Sequence, residues 1–389
     1  MEKKIKFGIY PNPQPDSEGN TTYQVRHEPD TTMNTPEFLA HLKYHSTFNT
    51  TMMSGALDVL REENNRRINA ILDELMKGSY AKGTTEQKLS DLYKLAMDST
   101  KRNSQGVEPL MAIIRQLEAA KTTKQLFDVQ LKLAPYGNTE FFRAGMGADE
   151  KNATQNILQV RQGGIVLGQK EYYLDNDAET VKIREAYKAH IVRMFRLIGF
   201  SKGVATKKMK NILKVETELA KASRSRTELR DPQRNYNKTT LREFETSYPH
   251  VQLEKIMNAK GVESKYIQDL IVGQPEFFAA MDQLQATMTA AEYRDYMEWG
   301  QVMSSAGYLD DKTQATNFGF FGKVMSGRKE DHPLWRRATQ QVEKQMGQAL
   351  GKIYVSKYFP AAAKERMVQL VKNLQIALGE RIAAQDWMS

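Results

Sequence analysis

Apolar residues recur at intervals of three and four along most of the chain after about residue 48, which is the period of amphipathic helices. The stretch GALDVLREENNRRINAILDELMKG (55–78) places its charges on one face and these apolar residues on the other: Leu57, Leu60, Ile68, Ile71, Leu72 and Leu75. Similar segments follow at about 86–101, 107–120, 123–134, 178–199, 204–222, 239–246, 252–259, 264–270, 275–286, 290–305, 334–358 and 361–387. The pattern predicts a mainly α protein with a large multi-helix domain.

One interval departs from the helical period. The segment TEFFRAGMGADEKNATQNILQVRQGGIVL (139–167) has two short runs rich in Phe, Ile, Leu and Val, separated by a polar stretch, and this is typical of a small β-hairpin. The glycines that follow, Gly163, Gly164 and Gly168, fit neither the Walker pattern nor GxGxxG. They predict structural turns and no nucleotide site.

The first 47 residues differ in composition from the rest of the chain. Prolines stand among Asn, Asp, Ser and Thr residues, and they break any long periodic element: Pro11, Pro13, Pro15, Pro29 and Pro36. This composition predicts an irregular N-terminal arm over 1–47, followed by one helical domain over 48–389.

The last predicted helix, 361–387, has no stop signal. Its apolar face is formed by Met367, Leu370, Val371, Leu374, Leu378, Ile382 and Trp387. No Gly, Asn or Pro follows these residues, and the acid Asp386 lies in the final turn, where a cation would be favoured. We therefore expect this helix to lead into a further part of the protein, and its apolar face to be exposed and to promote association when that part is missing.

Composition narrows the class of protein. With 389 residues, of which 40% are hydrophobic and 26% charged, the chain is typical of a globular protein. The absence of cysteine excludes disulfides, thiolate metal sites and a thiol nucleophile. No run approaches the roughly 18 apolar residues of a membrane span, and the start MEKKIKFGIYPNPQPDS lacks the apolar segment of a signal peptide. The residues themselves do not indicate a compartment.

The net charge of +9 and pI near 9.3 raise the question of nucleic-acid binding. Acids are interleaved with the basic residues almost everywhere. The densest basic run, KGVATKKMKNILK (202–214), is followed by Val215, and we interpret its lysines as a solvated helix face opposite Met209, Leu213 and Val215. The charge therefore does not indicate a nucleic-acid partner.

Histidines are few, and their spacing gives little support for a metal site. His41 and His45 in HLKYH have the i, i+4 spacing with which a helix offers two ligands to zinc. The glutamate that would act as general base is absent, because Leu42 follows His41, so two ordinary polar residues are the favoured interpretation. His27 begins HEPDT, but Thr31 stands where the second histidine belongs. With no G-x-S-x-G elbow and no distinctive carboxylate pair, residue chemistry alone indicates no active site.

A series of motifs from about residue 54 onward resembles the N-terminal half of the neprilysin-like zinc metallopeptidases, of the bacterial oligopeptidase and endothelin-converting-enzyme type. They occur in the family's order: GALDVLREENN (55–65), QKLSDLYKLAMDS (87–99), GVEPL (106–110), DEKNATQNILQVRQGGIVLGQKEYYL (149–174), IREAY (183–187), RDPQRNYNKTTL (230–241), QPEFF (274–278), LWRRATQQVEKQMGQALGKIYVSKYFPAAAKERM (334–367) and RIAAQDWMS (381–389).

The resemblance implies a two-lobed enzyme in which this chain is the helical cap that encloses peptides over a thermolysin-like lobe. In the family, the HExxH helix and the third zinc ligand lie beyond the position that matches Trp387. We therefore expect zinc in a catalytic lobe outside this chain, supplied in cis or in trans, and an inactive chain without it. The resemblance also suggests an extracytoplasmic enzyme, although 1–47 shows neither the usual anchor nor a signal.

The resemblance points to one substrate-binding residue. Family arginines on the cap reach the C-terminal part of the bound peptide; one matches Arg61, and another falls near Met53 and is lost. A guanidinium suits a peptide carboxylate because it donates two parallel hydrogen bonds. The alternative for Arg61 is an ordinary ion pair on the helix surface.

Two further interpretations complete the sequence picture. Within the segment 230–237, Arg230, Asp231, Tyr236 and Asn237 are interpreted as an interlobe hinge or a structural knot rather than as catalytic groups. For the whole chain, the alternative to a peptidase cap is a non-catalytic helical peptide-binding or scaffold protein derived from such an enzyme.

Overall fold

The computed structural model describes residues 6–11, 23–28, 56–137 and 141–386. The helices, numbered in chain order, are α1 Ala56–Lys77, α2 Thr85–Met97, α3 Ser99–Gln105, α4 Glu108–Ala119, α5 Thr123–Leu133, α6 Glu171–Leu174, α7 Ala178–Leu197, α8 Lys202–Ala222, α9 Leu241–Ser247, α10 Leu253–Ala259, α11 Pro275–Thr287, α12 Ala290–Ser305, α13 Asp311–Phe318, α14 Leu334–Tyr358 and α15 Ala361–Ala383. The strands are β1 Lys6–Pro11, β2 Tyr23–Glu28, β3 Phe142–Asp149, β4 Asn152–Gln162, β5 Lys238–Thr240 and β6 Asp269–Val272. The prediction of a mainly α fold is confirmed.

The chain divides into two compact units. The first comprises Met1–Ser90 and Val342–Ser389, and the second comprises Asp91–Gln341. None of the helices among the described ranges combines the length and the apolar character needed to cross a bilayer.

In the first unit, the N-terminal segment is not irregular throughout. Strands β1 and β2 pair antiparallel, with Phe7 opposite His27 and Ile9 opposite Val25. Pro11 is the last residue of β1, and Pro29 follows β2 directly in the sequence, where a residue without an N–H favours the end of strand pairing. The expectation of an arm without regular structure was therefore wrong for these two strands, and the rest of 1–47 lies outside the described residues.

In the second unit, several helices begin at signals that the sequence carries. Thr122, Thr240 and Thr289 form capping boxes, in which the threonine side chain accepts from the third helical N–H and the Gln or Glu there accepts from the threonine N–H. These reciprocal bonds satisfy donors that a helix start otherwise leaves unpaired, and they fix the starts of α5, α9 and α12.

The predicted hairpin is the β3–β4 pair, which extends into a four-stranded sheet of order β3-β4-β6-β5. β6 joins β4 in parallel, with Leu158 opposite Leu270, and β5 pairs antiparallel with β6. The helix predicted over 264–270 was wrong: a 3₁₀ turn at Ser264–Tyr266 leads instead into β6. DLIV is a short apolar run, and its pairing with β4 determines its conformation.

Two hydrophobic cores organise the second unit. The first, which we call the sheet core, packs Leu158, Val160, Leu270 and Val272 against α8 and α11 residues such as Leu219. The second, the aromatic core, joins α7, α8 and α12 around Tyr187, Phe195, Trp299 and Phe320. The aromatic core also extends to a π-helix at Gly319–Met325 that directly follows α13. Neither α13 nor this π-helix was predicted from the sequence.

Candidate functional site

Arg61, the predicted substrate ligand, lies exposed on α1 in the first unit. One turn further along α1, Asn64 accepts a hydrogen bond from Tyr354 of α14 at 2.8 Å, and the Arg67 guanidinium lies 5.3 Å from the centroid of the Tyr358 ring. These contacts fix the part of α1 next to Arg61 against the end of α14. The substrate role of Arg61 stays a prediction.

The residues considered as metal ligands cannot be placed together. His41 and His45, like Met53, lie outside the described residues. In the ranges that the structure describes, no group of three or more His, Cys, Asp or Glu side chains is arranged to hold a metal ion, and HExxH does not occur in the sequence. The described residues do not provide a zinc site, so no catalytic step is assigned to them.

The segment 230–237 is fixed to the sheet by hydrogen bonds. The Tyr236 hydroxyl donates to Asp149 Oδ1 at 2.9 Å, and the Asn237 amide donates to the Val272 carbonyl at 2.9 Å. The Asp231 carboxylate accepts from the Arg234 N–H within the turn, whereas Arg230 is exposed. This arrangement is a local network of structural bonds; its role as a hinge stays a prediction.

A buried arginine that the sequence reading missed connects the same segment to two helices. Arg224, two residues after the end of α8, forms a two-pronged ion pair with Glu276 of α11, with Nη2 donating to Oε2 at 2.9 Å. Its Nη1 donates to the carbonyls of Arg234 and Gly273 at 2.9 and 3.1 Å. Because Arg224 is only 8% exposed, little water could replace it as a donor to these acceptors if its side chain were removed.

A second missed group is the Lys208 cluster, formed by Lys208, Arg294, Glu118, Asp295 and Glu298. Lys208 Nζ lies 2.7, 2.9 and 2.7 Å from the carboxylates of Glu118, Asp295 and Glu298. The Arg294 Nε lies 3.7 to 4.0 Å from the same three carboxylates. Burial, reinforced by the other two acids and opposed by Lys208, raises the pKa of Glu298 to about 8.

The position of Lys208 corrects the interpretation of the basic run 202–214. Lys208 was interpreted as part of a solvated face, but it is 3% exposed and lies on the buried face of α8 with Ala205, Ile212 and Val215. The spacing of 205, 208, 212 and 215 already follows one helix face, so the buried face could have been recognised. What the sequence could not show is that acids on α4 and α12 meet the ammonium group there.

A third group surrounds a cavity of about 230 Å³, lined by Arg143, Gly164, Glu216, Tyr296, Trp299 and Met303 among others. The carboxylate of Glu216 is fully buried and accepts from the Tyr173 and Tyr187 hydroxyls at 3.0 to 3.1 Å. Trp299 Nε1 donates in turn to the Tyr187 hydroxyl at 2.8 Å. Since tyrosine donors already occupy both carboxylate oxygens, Glu216 stabilises the core rather than acting as a reactive acid.

Burial raises the pKa of Glu216 to about 8 from 4.5, although the tyrosine hydrogen bonds oppose the shift. For an acid with a raised folded-state pKa, the contribution to stability is complete below the unfolded pKa and is lost as pH rises through the folded pKa. We therefore expect the free energy of unfolding to fall between about pH 5 and pH 8, and Glu216→Gln to reduce this slope. Urea unfolding at pH 5, 6.5 and 8 would measure it; Glu218→Gln, at an exposed position on the same helix, is the control. Equal slopes in both variants would contradict the assignment.

Comparison with known proteins identifies the class. The model of the N-terminal domain of peptidase family M13 matches residues 41–389. The chain therefore belongs to peptidase family M13, a family of zinc metallopeptidases, and the resemblance to neprilysin-like enzymes is confirmed.

Relatives of known sequence and structure place the chain within this family. Human endothelin-converting enzyme 1 is 27% identical over 329 residues, covering 82% of this chain and 43% of that enzyme. Mouse endothelin-converting enzyme-like 1 is 24% identical, covering 89% of this chain and 46% of that protein. Among solved structures, the zinc metalloprotease Zmp1 of Mycobacterium tuberculosis, in complex with an inhibitor, superposes with a TM-score of 0.80 at 27% identity, over 86% of this chain and 50% of that one.

A more distant structure supports the fold alone. PepO of Lactobacillus rhamnosis HN001 has a TM-score of 0.75 at 19% identity, over 92% of this chain and 57% of PepO. The chain thus spans about half the length of the relatives that it matches, and the helical cap fold is confirmed.

Proposed function

We propose that this chain forms the substrate-enclosing N-terminal part of a zinc metallopeptidase that cleaves peptides outside the cytoplasm. The zinc and the groups that activate water would come from a catalytic part with which this chain associates. Family membership supports the reaction class, because Zmp1 is a zinc metalloprotease and the endothelin-converting enzymes are named for processing a peptide.

The observation that carries this proposal is the apolar surface of α15. None of the residues of this helix is buried. Seven large apolar side chains on one side of it are between 42% and 60% exposed: Met367, Val368, Leu370, Val371, Leu374, Leu378 and Ile382. A contiguous apolar surface of this extent marks a contact with another protein surface, and the catalytic part is the partner that we propose.

Complementation tests the proposal. The chain would be mixed with the half of Zmp1 that it does not cover, and hydrolysis of an internally quenched peptide would be measured, with the N-terminal half of Zmp1 as the positive control. We expect association and zinc-dependent hydrolysis. The double variant Leu374→Lys, Leu378→Lys should abolish both, because it places two charges on the apolar face. Gln369→Lys, Asn373→Lys has the same spacing on the opposite face and should have no effect.

If the positive control is active and this chain neither associates nor restores hydrolysis, the proposal is contradicted. Tight peptide binding by the chain alone, unchanged by the catalytic half, would instead indicate a non-catalytic binding protein.

Within this proposal, Arg61 binds the C-terminal carboxylate of the peptide. In the complemented enzyme, Arg61→Gln should lower kcat/KM about 10-fold for a peptide with a free C-terminus, since a charge-assisted hydrogen bond contributes roughly 1.5–3 kcal/mol. The same peptide with an amidated C-terminus should be cleaved equally by both enzymes. Arg66→Gln, an exposed arginine on the same helix, is the matched control. Equal losses for the two peptides would exclude the carboxylate role.

A further inference from the structure

The second unit contains a larger cavity, of about 400 Å³, which we call the 307–341 cavity. Its walls come from α13, the π-helix at Gly319–Met325, the connection that follows and the first turns of α14. Charged, amide and aromatic side chains all line it, including Gln314, Phe318, Arg328, Asp331, Arg337 and Gln341. Neither the proposed peptidase role nor the two cores requires this combination.

Two cations face one carboxylate in this cavity. Arg328 Nη1 lies 3.9 Å from Asp331 Oδ1, and Arg337 Nη1 lies 3.5 Å from Asp331 Oδ2. Both distances exceed those of a close charge-assisted hydrogen bond, which is typically about 2.7–2.9 Å. The guanidinium groups therefore retain donors for an anion, and Asp331 retains acceptors for a cation.

The cavity also has one buried hydrogen-bond donor and one buried acceptor. Arg337 Nη1 donates to Gln314 at 2.6 Å, but its Nε is buried without an acceptor among the described residues. The side-chain oxygen of Gln341 is buried without a donor in the same part of the chain. Leaving such buried groups unpaired is unfavourable, so a ligand that both accepts and donates hydrogen bonds would bind favourably here.

An aromatic surface positions the charges. The Arg328 guanidinium lies 5.0 Å from the centroid of the Phe318 ring. Phe318 can occupy this place only because residue 322 is glycine: a Cβ on Gly322 would lie 2.1 Å from the Phe318 ring. Phe321, in the same π-helix, adds a second apolar wall. π-helical turns are frequent at functional sites, which agrees with a binding role.

We propose that the 307–341 cavity binds a small zwitterion, with the chemistry of a free amino acid or a dipeptide. Arg337 and Arg328 receive the carboxylate, Asp331 and the Gln341 oxygen receive the ammonium or N–H groups, and the Phe318 and Phe321 rings contact an apolar side chain. The volume suits a ligand of this size.

Calorimetric titration of the full chain tests this assignment with four probes. These are L-phenylalanine, glycyl-L-phenylalanine, 3-phenylpropanoate and 2-phenylethylamine. The last two present the same aromatic group with only the carboxylate or only the amine. We expect L-phenylalanine, glycyl-L-phenylalanine or both to bind at least 10-fold more tightly than either single-ended analogue. Whichever of these two zwitterions binds more tightly shows whether the cavity prefers an amino acid or a dipeptide.

Variants separate the two ends of the ligand. Arg337→Gln should weaken the zwitterion and 3-phenylpropanoate at least 10-fold, and Asp331→Asn should weaken the zwitterion but not 3-phenylpropanoate. Gly322→Ala should weaken all probes by displacing Phe318. Arg242→Gln, an exposed arginine on α9, should change nothing. Asp331 is on the surface connection, so its variant stays informative if Arg337→Gln does not fold. The proposal would be overturned if neither zwitterion showed saturable binding, or if a single-ended analogue bound as tightly as the zwitterions.

Discussion

Lys208→Met is expected to lower the free energy of unfolding by about 4 kcal/mol, since removing one partner from a buried ion pair leaves an uncompensated charge. Asp295 is 2% exposed and lies 2.9 Å from the ammonium nitrogen, and Glu118 lies 2.7 Å from it. Arg294, at 3.7 and 3.8 Å from these two acids, is too distant to replace Lys208. Glu298 contributes less at neutral pH, because its pKa is already raised to about 8. Unfolding in guanidinium chloride at pH 7.5 would measure the decrease in the free energy of unfolding.

The charge explanation predicts a pH dependence that a packing defect would not produce. As pH falls, the acids left without Lys208 bind protons more readily in the folded chain than in the unfolded chain, so the deficit of the variant should shrink towards pH 5. Lys207→Met changes an exposed neighbour on α8 and should alter stability by less than about 0.5 kcal/mol. A deficit that stays constant between pH 5 and pH 8 would argue against uncompensated charge.

Arg224→Ala is expected to lower the free energy of unfolding by about 3 kcal/mol, because a charged donor to several acceptors is lost from a nearly enclosed site. The carbonyls of Arg234 and Gly273 would lose their guanidinium donor, and Glu276 would lose its ion pair. Glu276 is half exposed, so water can solvate its carboxylate and the loss stays below that for Lys208.

Arg226, two residues after Arg224 in the sequence, provides a matched control for Arg224→Ala. Arg226 has the same side chain and is exposed, so Arg226→Ala should change the free energy of unfolding by less than about 0.5 kcal/mol. Urea unfolding of the two variants in parallel, followed by circular dichroism, makes the comparison. Equal effects would show that Arg224 does not hold α8, the 230–237 segment and α11 together.

Helices with a sustained apolar face were predictable from the sequence. The helix predicted over 55–78 is observed at Ala56–Lys77, and the segment predicted over 334–358 is helical between the same bounds, with a kink at Met346. In both, the period of three to four residues extends over many turns, so local pattern and tertiary packing agree. The hairpin was predictable from its two short apolar runs, which are separated by a polar stretch.

Short elements were not predictable, because tertiary contacts determine them. β5 has three residues and β6 has four, and each is a strand only through its neighbours in the sheet. Among the candidate residues, Arg224 meets Glu276 across 52 positions, and Tyr173 meets Glu216 across 43. A sequence pattern reports one element at a time, so it could not bring these partners together.

The parallel pairing of β4 with β6 has a consequence for how the chain folds. The Gln162 N–H bonds to the Gln274 side chain across 112 positions, and the intervening sequence includes all of α7 and α8. Closing so large a loop decreases the conformational entropy of the chain before the hydrogen bonds between β4 and β6 can form and stabilise the pair. During synthesis, one edge of β4 therefore stays unpaired until more than 100 further residues, including β6, have been added. This interval is when the nascent chain is most exposed to mispairing with a neighbouring chain.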